Sequence, residues 1–548
     1  MRNHSEDDLQ ARCIAAALLL FATAAAAQDF KGPRISYLPV DWTAAFAELR
    51  GSTGEATADA DTARLKRLNA AAGKLLPRVA DSPIPVLLPV TRETARAPAD
   101  KPGDVGFLPE FGRPAMFQAG PAGYDAAFYV TLPEPPRSKS EPRKIELLLS
   151  GFALLYDIGP RAGGEEKPPI GLQAEFPGIR RFYFEGQMRY LFSRYGALYA
   201  LAVECLDTGA NSRRLTCQEV QGAAERFLKA LSVAGGTPQQ APQTAAISLP
   251  NRPESVSSDF AYYDPGDLIP GTGARQRGGN SADVVFAALR FPLAESPAQI
   301  YSQVFMDVGD CTQALGDSEK RRRNGAPFRC PDGDSAASAG TPSGGPYNYP
   351  WRDNFCELRS FNVGQCPAGF GHQGEDISPV DCRLYSRDLS QCERKEHPVV
   401  AARDGMVLRA PGQASLTLVS NAASEHILFR YLHMNPKLID ADGFFSGRAV
   451  REGETIGRVG NYAGREAGTS YHLHFDMQVP TNDGWSFVNP YMSLVLAYER
   501  LIGHRGIPIP DVVRDGTIAG ASLGSPVNVP EPKPMPASLK HKSRPRHR

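Results

Sequence analysis

The chain has 548 residues, enough for several domains, and its 60 basic and 60 acidic side chains cancel. That balance argues against a basic nucleic-acid binder and against a strongly acidic surface protein. Apolar residues at 42% suit globular material, while 52 glycines and 47 prolines predict long loops and linkers.

In chain order, the run CIAAALLLFATAAAA at 13–27 is apolar and ends in Ala-x-Ala before Gln28. This is the pattern of a secretory signal peptide cleaved after Ala27, although Glu6, Asp7 and Asp8 dilute the expected positive charge. It falls short of the roughly 20 residues of a membrane span. No other stretch is a candidate, so the expectation is a periplasmic or secreted protein that is not transmembrane after cleavage. Residues 28–82 form a helical N-terminal segment, because WTAAFAELR and DTARLKRLNAAAGKLL carry apolar residues at helical spacing. Strand patterns such as AAFYVTL, KIELLLSGFALLY and ALYALAVECL then lead to the helical GAAERFLKALSVAGG, giving a β-rich accessory domain over 83–236. Nothing in it resembles a catalytic pattern. Residues 237–281, rich in Pro, Gly, Ser and Gln, read as a linker. Strands dominate again over 282–505, and 506–548 end the chain as a disordered basic tail. The fold class expected is multidomain: a mainly antiparallel β catalytic domain preceded by an α+β accessory domain.

Of nine cysteines, Cys13 would leave with the signal and eight remain. An even number in short-range couples fits an oxidising compartment. Nearest-neighbour pairing gives 205–217, 311–330, 356–366 and 382–392. None of these couples has the close Cys-Cys spacing of a structural zinc site.

The ten histidines are unevenly placed. None occurs from residue 5 to 371, and seven fall between 372 and 504. Three patterns stand out: His372 and Asp376 in GFGHQGEDISP, His433 in ILFRYLHMNP, and His472 and His474 in YHLHFDM. In a strand, residues i and i+2 share a face, so His472 and His474 stand together while Leu473 and Phe475 face the core. By the same rule His433 would share a face with Phe429 and Tyr431. A catalytic zinc takes three protein ligands and leaves one position open. His372, Asp376 and one member of the 472/474 pair supply three, with His433 and the other pair member beside the open position.

From about 370 to 490 the sequence resembles the LytM/lysostaphin-type zinc metallopeptidases that cut peptidoglycan cross-links. The resemblance rests on His372-x3-Asp376, on HPVVAARDGMVLRA, on YLHM around His433, and on GRAVREGETIGRVG before HLHF. It implies one Zn²⁺ per chain held by His372, Asp376 and His474. It makes His472 a general base or orienter of the attacking water and His433 a stabiliser of the oxyanion. It implies peptidoglycan peptide stems as substrate, with the D-Ala to diaminopimelate link the natural bond in a Gram-negative envelope. The family also contains catalytically silent regulators of cell-wall hydrolases, and it leaves room for an envelope protein as activator. One departure is the insert VDCRLYSRDLSQCERKE at 380–396, longer than the expected tight connection. His397, His426 and His504 match no motif position and are expected to be structural or on the surface.

Overall fold

A computed structural model describes residues 34–50, 57–91, 106–132, 144–158, 165–166, 169–184, 187–205, 215–239, 251–263, 265, 287–300, 351–356, 366, 371–379, 382, 392, 394, 396–422 and 425–509. The chain divides into two compact units, Met1–Pro510 and Asp511–Arg548. The second unit, the signal-like segment, Cys311 and Cys330 lie outside the described residues. Among the described residues no helix is long and apolar enough to cross a membrane.

The N-terminal part is α+β. β1 (Arg34–Tyr37) precedes α1 (Trp42–Arg50) and α2 (Ala58–Gly73). Thr57 caps α2 by accepting from the Ala60 backbone N–H, and Asp59 and Asp61 lie in its first turn. β2 (Val86–Leu88), β3 (Met116–Gly120), β4 (Gly123–Thr131), β5 (Lys144–Phe152) and β6 (Leu154–Asp157) follow. Next come β7 (Glu165–Glu166), β8 (Arg180–Phe184), β9 (Gln187–Arg194), β10 (Ala197–Glu204), α3 (Cys217–Lys229) and β11 (Ser232–Gly235). A reciprocal Thr216/Glu219 capping box starts α3. Among the described residues an antiparallel sheet runs β3-β4-β5-β10-β9-β8-β7. Strand alternation divides its two faces. Phe128, Leu147, Leu149 and Leu201 pack against the helices, while Ala127, Leu148 and Ala200 belong to a separate cluster on the other face.

The C-terminal part is mainly antiparallel β. It comprises β12 (Val256–Tyr263), β13 (Ala298–Ile300), β14 (Glu375–Pro379), β15 (Pro398–Val400), β16 (Gly405–Leu408), β17 (Leu416–Ala422) and β18 (Glu425–Leu432). After α4 (Pro436–Ala441) come β19 (Ala449–Val450), β20 (Thr455–Arg458), β21 (Leu473–Thr481), β22 (Gly484–Val488), α5 (Tyr491–Ile502) and β23 (Arg505–Ile509). The main sheet runs β13-β14-β21-β18-β17-β16-β19, with β22 also on β21. One face carries Phe429, Tyr431, Phe475 and Met477 into a core shared with Trp351 and Tyr498.

The other face lies against the accessory sheet. Leu148, Phe152 and Ala200 meet Leu408, Val419, Leu428 and Trp485 there. Polar groups inside this contact are matched: His426 Nε2 lies 2.5 Å from Asp125 Oδ2, and both residues are fully buried. Ser150 donates to Asp125, Trp485 donates to Ser150, and Arg189 donates to the Trp485 carbonyl. His426 is therefore structural, as its lack of a motif suggests. The accessory part reaches further still, since Ile35, Leu154 and Tyr156 belong to the C-terminal core. β12, inside the stretch that composition reads as linker, pairs in parallel with β23. Alternating Phe260 and Tyr262 bury against Trp351 and Tyr498, which outweighs the Pro/Gly content around them.

Candidate metal centre

Asp376 on β14 and His474 on β21 are directly opposed across an antiparallel pair, and Ile377 opposes Leu473 in the same register. On β21 the period of two sends Leu473, Phe475 and Met477 into the core and leaves His474, Asp476 and Gln478 on the face toward the accessory sheet. His372 lies just before β14. A bend at Gly374 brings it back over the strand pair, and that glycine has no room for a side chain. A Cβ there would stand 2.8 Å from His474 Nε2 and 2.6 Å from the Phe475 carbonyl oxygen.

Three ligand-type atoms converge. His372 Nε2 lies 2.8 Å from His474 Nδ1 and 3.1 Å from Asp376 Oδ1, and His474 Nδ1 lies 3.2 Å from the same oxygen. Four ligands about 2.0–2.2 Å from a tetrahedral metal stand roughly 3.3 Å from one another, so the spacing suits one such ion. The outer nitrogens have partners that suit metal-facing tautomers. His372 Nδ1 faces the Asn354 carbonyl at 3.1 Å, and His474 Nε2 faces Asp476 Oδ2 at 3.5 Å. Each outer nitrogen has an acceptor for a proton, so both inner nitrogens can turn their lone pairs to a metal held between them and the carboxylate. Such a group repels itself unless a cation sits in it.

The electrostatics agree. Burial works against ionised Asp376, yet the nearby His372 and His472 and their hydrogen bonds hold its carboxyl well below the usual range. Burial also opposes a charged His474, but Asp376 and Asp476 outweigh it and push His474 up to about 9. The residues present therefore fit a divalent metal with nitrogen and oxygen ligands, and the site is almost closed to solvent at His372 (3% exposed) and Asp376 (1%).

The two remaining histidines border this group. His472 Nε2 lies 3.3 Å from Asp376 Oδ1, and its Nδ1 faces the Ser470 carbonyl at 2.9 Å. His433 Nδ1 faces the Tyr462 carbonyl at 2.9 Å, with its ring centroid 4.6 Å from His472 and 6.0 Å from His474. The sequence rule placed His433 on the face of Phe429 and Tyr431, and here the structure differs. β18 ends at Leu432, and His433 takes the left-handed φ of 70°, which turns its ring to the histidine side. Gly460 makes space for that turn, since a Cβ there would meet the His433 carbonyl oxygen at 2.4 Å. Burial first, then the charges of His472 and His474, lower the His433 pKa to about 3.

Sequence reasoning overlooked the supporting shell. Asp476 is two residues beyond His474, on the same face, and Arg430 donates to it at 2.8 Å. Strand alternation alone could have found it. Asn354 had no such signal. It holds His372 through its carbonyl and the Asp376 backbone N–H through its side chain at 3.3 Å, from a segment remote in sequence. The Cys356–Cys366 disulfide braces that segment, and Cys205–Cys217 and Cys382–Cys392 are also formed. Cys382, Cys392 and His397 form a second convergent group, but its sulfurs are bonded to each other. His504 lies away from the centre, with Nδ1 2.9 Å from Ser255 Oγ.

Residues 390–490 match the model of Peptidase family M23. The match contains His433, His472 and His474 and begins after His372 and Asp376, with much of the 380–396 insert lying between. No curated protein matches the chain. A solved structure from Ruminococcus gnavus ATCC 29149, assigned as the glycyl-glycine endopeptidase lytM, is 20% identical over 25% of this chain and 49% of that one. The chain thus spans about half the length of that relative, and a TM-score of 0.18 is too low to argue from.

Proposed function

We propose that this chain, which carries a LytM-type peptidase family M23 domain at residues 390–490, is a zinc-dependent endopeptidase acting on peptide cross-links of peptidoglycan. The observation that carries the reading is the convergence of His372 and Asp376, outside the family match, on His474 inside it. One zinc ion held by these three would polarise the scissile carbonyl and make water nucleophilic near neutral pH. His433 keeps its Nδ1 proton on the Tyr462 carbonyl and so presents Nε2 as a proton acceptor, while His472, with Nδ1 at the Ser470 carbonyl, turns Nε2 to Asp376 and could serve in the same way once that carboxylate holds the metal. Either can take the proton of the attacking water and return it to the leaving amine, which balances the hydrolysis. For His433 to donate to a developing oxyanion it must first receive that proton. We assign the signal-like segment and the disulfides to a periplasmic or secreted enzyme.

Digestion of purified cross-linked sacculi, with and without a zinc chelator, tests this by mass spectrometry of the muropeptides. Chelator-sensitive conversion of dimers to monomers is expected. Intact dimers from zinc-loaded protein would favour a silent or latent regulator of other wall hydrolases.

A further inference from the structure

A cavity of about 670 Å³ opens where the two sheets diverge beside the histidines. His433, Tyr462 and the Ala410–Ser415 turn line one side, and Lys144, Glu146 and Glu204 of the accessory sheet line the other. β5 and β10 are antiparallel with Val203 opposite Leu147, so continuing the register by one residue sets Glu204 opposite Glu146. Alternation puts both on the face of Leu148 and Ala200, toward the peptidase sheet. Two like charges directly opposed on a sheet are destabilising, and this pair is only partly relieved. Gln413 donates to Glu204 at 3.2 Å, and Tyr129 hydrogen-bonds Glu146. Glu146 Oε2 is enclosed with no hydrogen-bond partner among the described residues. Burial, followed by the charge of Glu204, raises the Glu146 pKa to about 7. Lys144 is exposed at the rim. The disulfide Cys205–Cys217 fixes the end of β10 against α3, so the wall is braced.

We infer that this cavity is a substrate subsite for a cationic primary amine on the peptide, with Glu146 and Glu204 as its acceptors. The accessory sheet then supplies part of the substrate groove rather than a separate tethering function. The assignment rests on the peptidase reading, because that reading places a peptide beside His433. A carboxylate pair set in a cavity beside the histidines suits an ammonium, which brings three donors and relieves the like-charge contact.

The test measures binding by calorimetry to the zinc-loaded mature chain, using muropeptide dimers whose bridging amide is replaced by a non-hydrolysable isostere, with free side-chain amines and the same dimers after acetylation. Affinity for the free amine should be about tenfold higher. The Glu146→Gln/Glu204→Gln protein should bind both forms alike, and Glu204→Lys should prefer the acetylated form, a reversal that a merely structural role would not produce. Zinc stoichiometry and thermal midpoint verify that each variant is folded. Equal binding of the two dimers by the unaltered protein, or no binding of either, overturns the subsite. A failure to digest sacculi would overturn the enzymatic reading alone, since the affinity contrast is read without cleavage.

Discussion

His372 Nε2 and His474 Nδ1 stand 2.8 Å apart, and each ring turns its other nitrogen to an oxygen, of Asn354 and of Asp476. Nitrogens this close share either a proton or a metal. With His474 pushed up to about 9 by Asp376 and Asp476 against the opposing effect of burial, the metal-free site holds a proton at neutral pH. Zinc must displace it. Between the ordinary histidine range and about pH 9 the metal-free form carries more protons than the loaded form, so zinc affinity should rise with pH by up to about tenfold per unit and level off above that. Calorimetry at pH 7.5 in buffers of different ionisation enthalpy should count about one proton released per zinc. No release would mean that the site is already neutral.

Asp476 fixes which nitrogen of His474 faces the centre, and Arg430 in turn fixes Asp476. Asp476→Asn keeps the shape but removes the charge that holds the outer proton. Zinc affinity should fall by about 10–100-fold, as for other partners of metal-bound histidines. Competition against a chelator of known affinity measures this. An unchanged constant would show that Asp476 serves Arg430 alone.

Part of the candidate site was legible in the sequence because its chemistry is local. His-x-His on a strand sets two imidazoles on one face by spacing, whereas a histidine four residues from an aspartate is a weak pattern alone, and the choice of His474 over His472 came from the family resemblance. What was not legible depends on tertiary contact. Nothing near Asn354 links it to a strand that begins at Glu375, and the turn of His433 away from Tyr431 depends on a left-handed residue that alternation cannot foresee. The mainly antiparallel C-terminal fold and the α+β region before it followed from strand and helix periodicity. The joining of the two did not. Nothing in the sequence links Asp125 to His426, a histidine that matches no motif, yet two sheet faces bring them within 2.5 Å.

That pair supports the third prediction. Asp125→Ala would leave the fully buried His426 ring, packed between Phe152 and Trp485, without the carboxylate at its Nε2. Leaving a buried hydrogen-bonding group without its partner costs about 1–3 kcal/mol. Urea unfolding followed by tryptophan fluorescence should show that loss, because Trp485 belongs to the same network. Removing both members with Asp125→Ala/His426→Leu should cost less than the sum of the single changes. Additive losses would mean that the pair contributes through packing only.

The same interface predicts what truncation does. A fragment of residues 282–510 would lose Ile35, Leu154 and Tyr156 from its core and expose Leu408, Val419, Leu428 and Trp485 along one sheet face. A contiguous apolar face of that kind favours association over a free monomer. The fragment should aggregate, or keep far-ultraviolet circular dichroism while losing the near-ultraviolet signal and binding ANS. Co-expression with residues 28–281 should restore a soluble complex, since the contact is matched in both its apolar and polar parts. Lost activity in the fragment alone would then report a lost core and a lost groove wall. A soluble fragment with a sharp unfolding transition and full zinc content would show instead that the peptidase sheet does not need its partner, and the accessory sheet would have to be explained by binding alone.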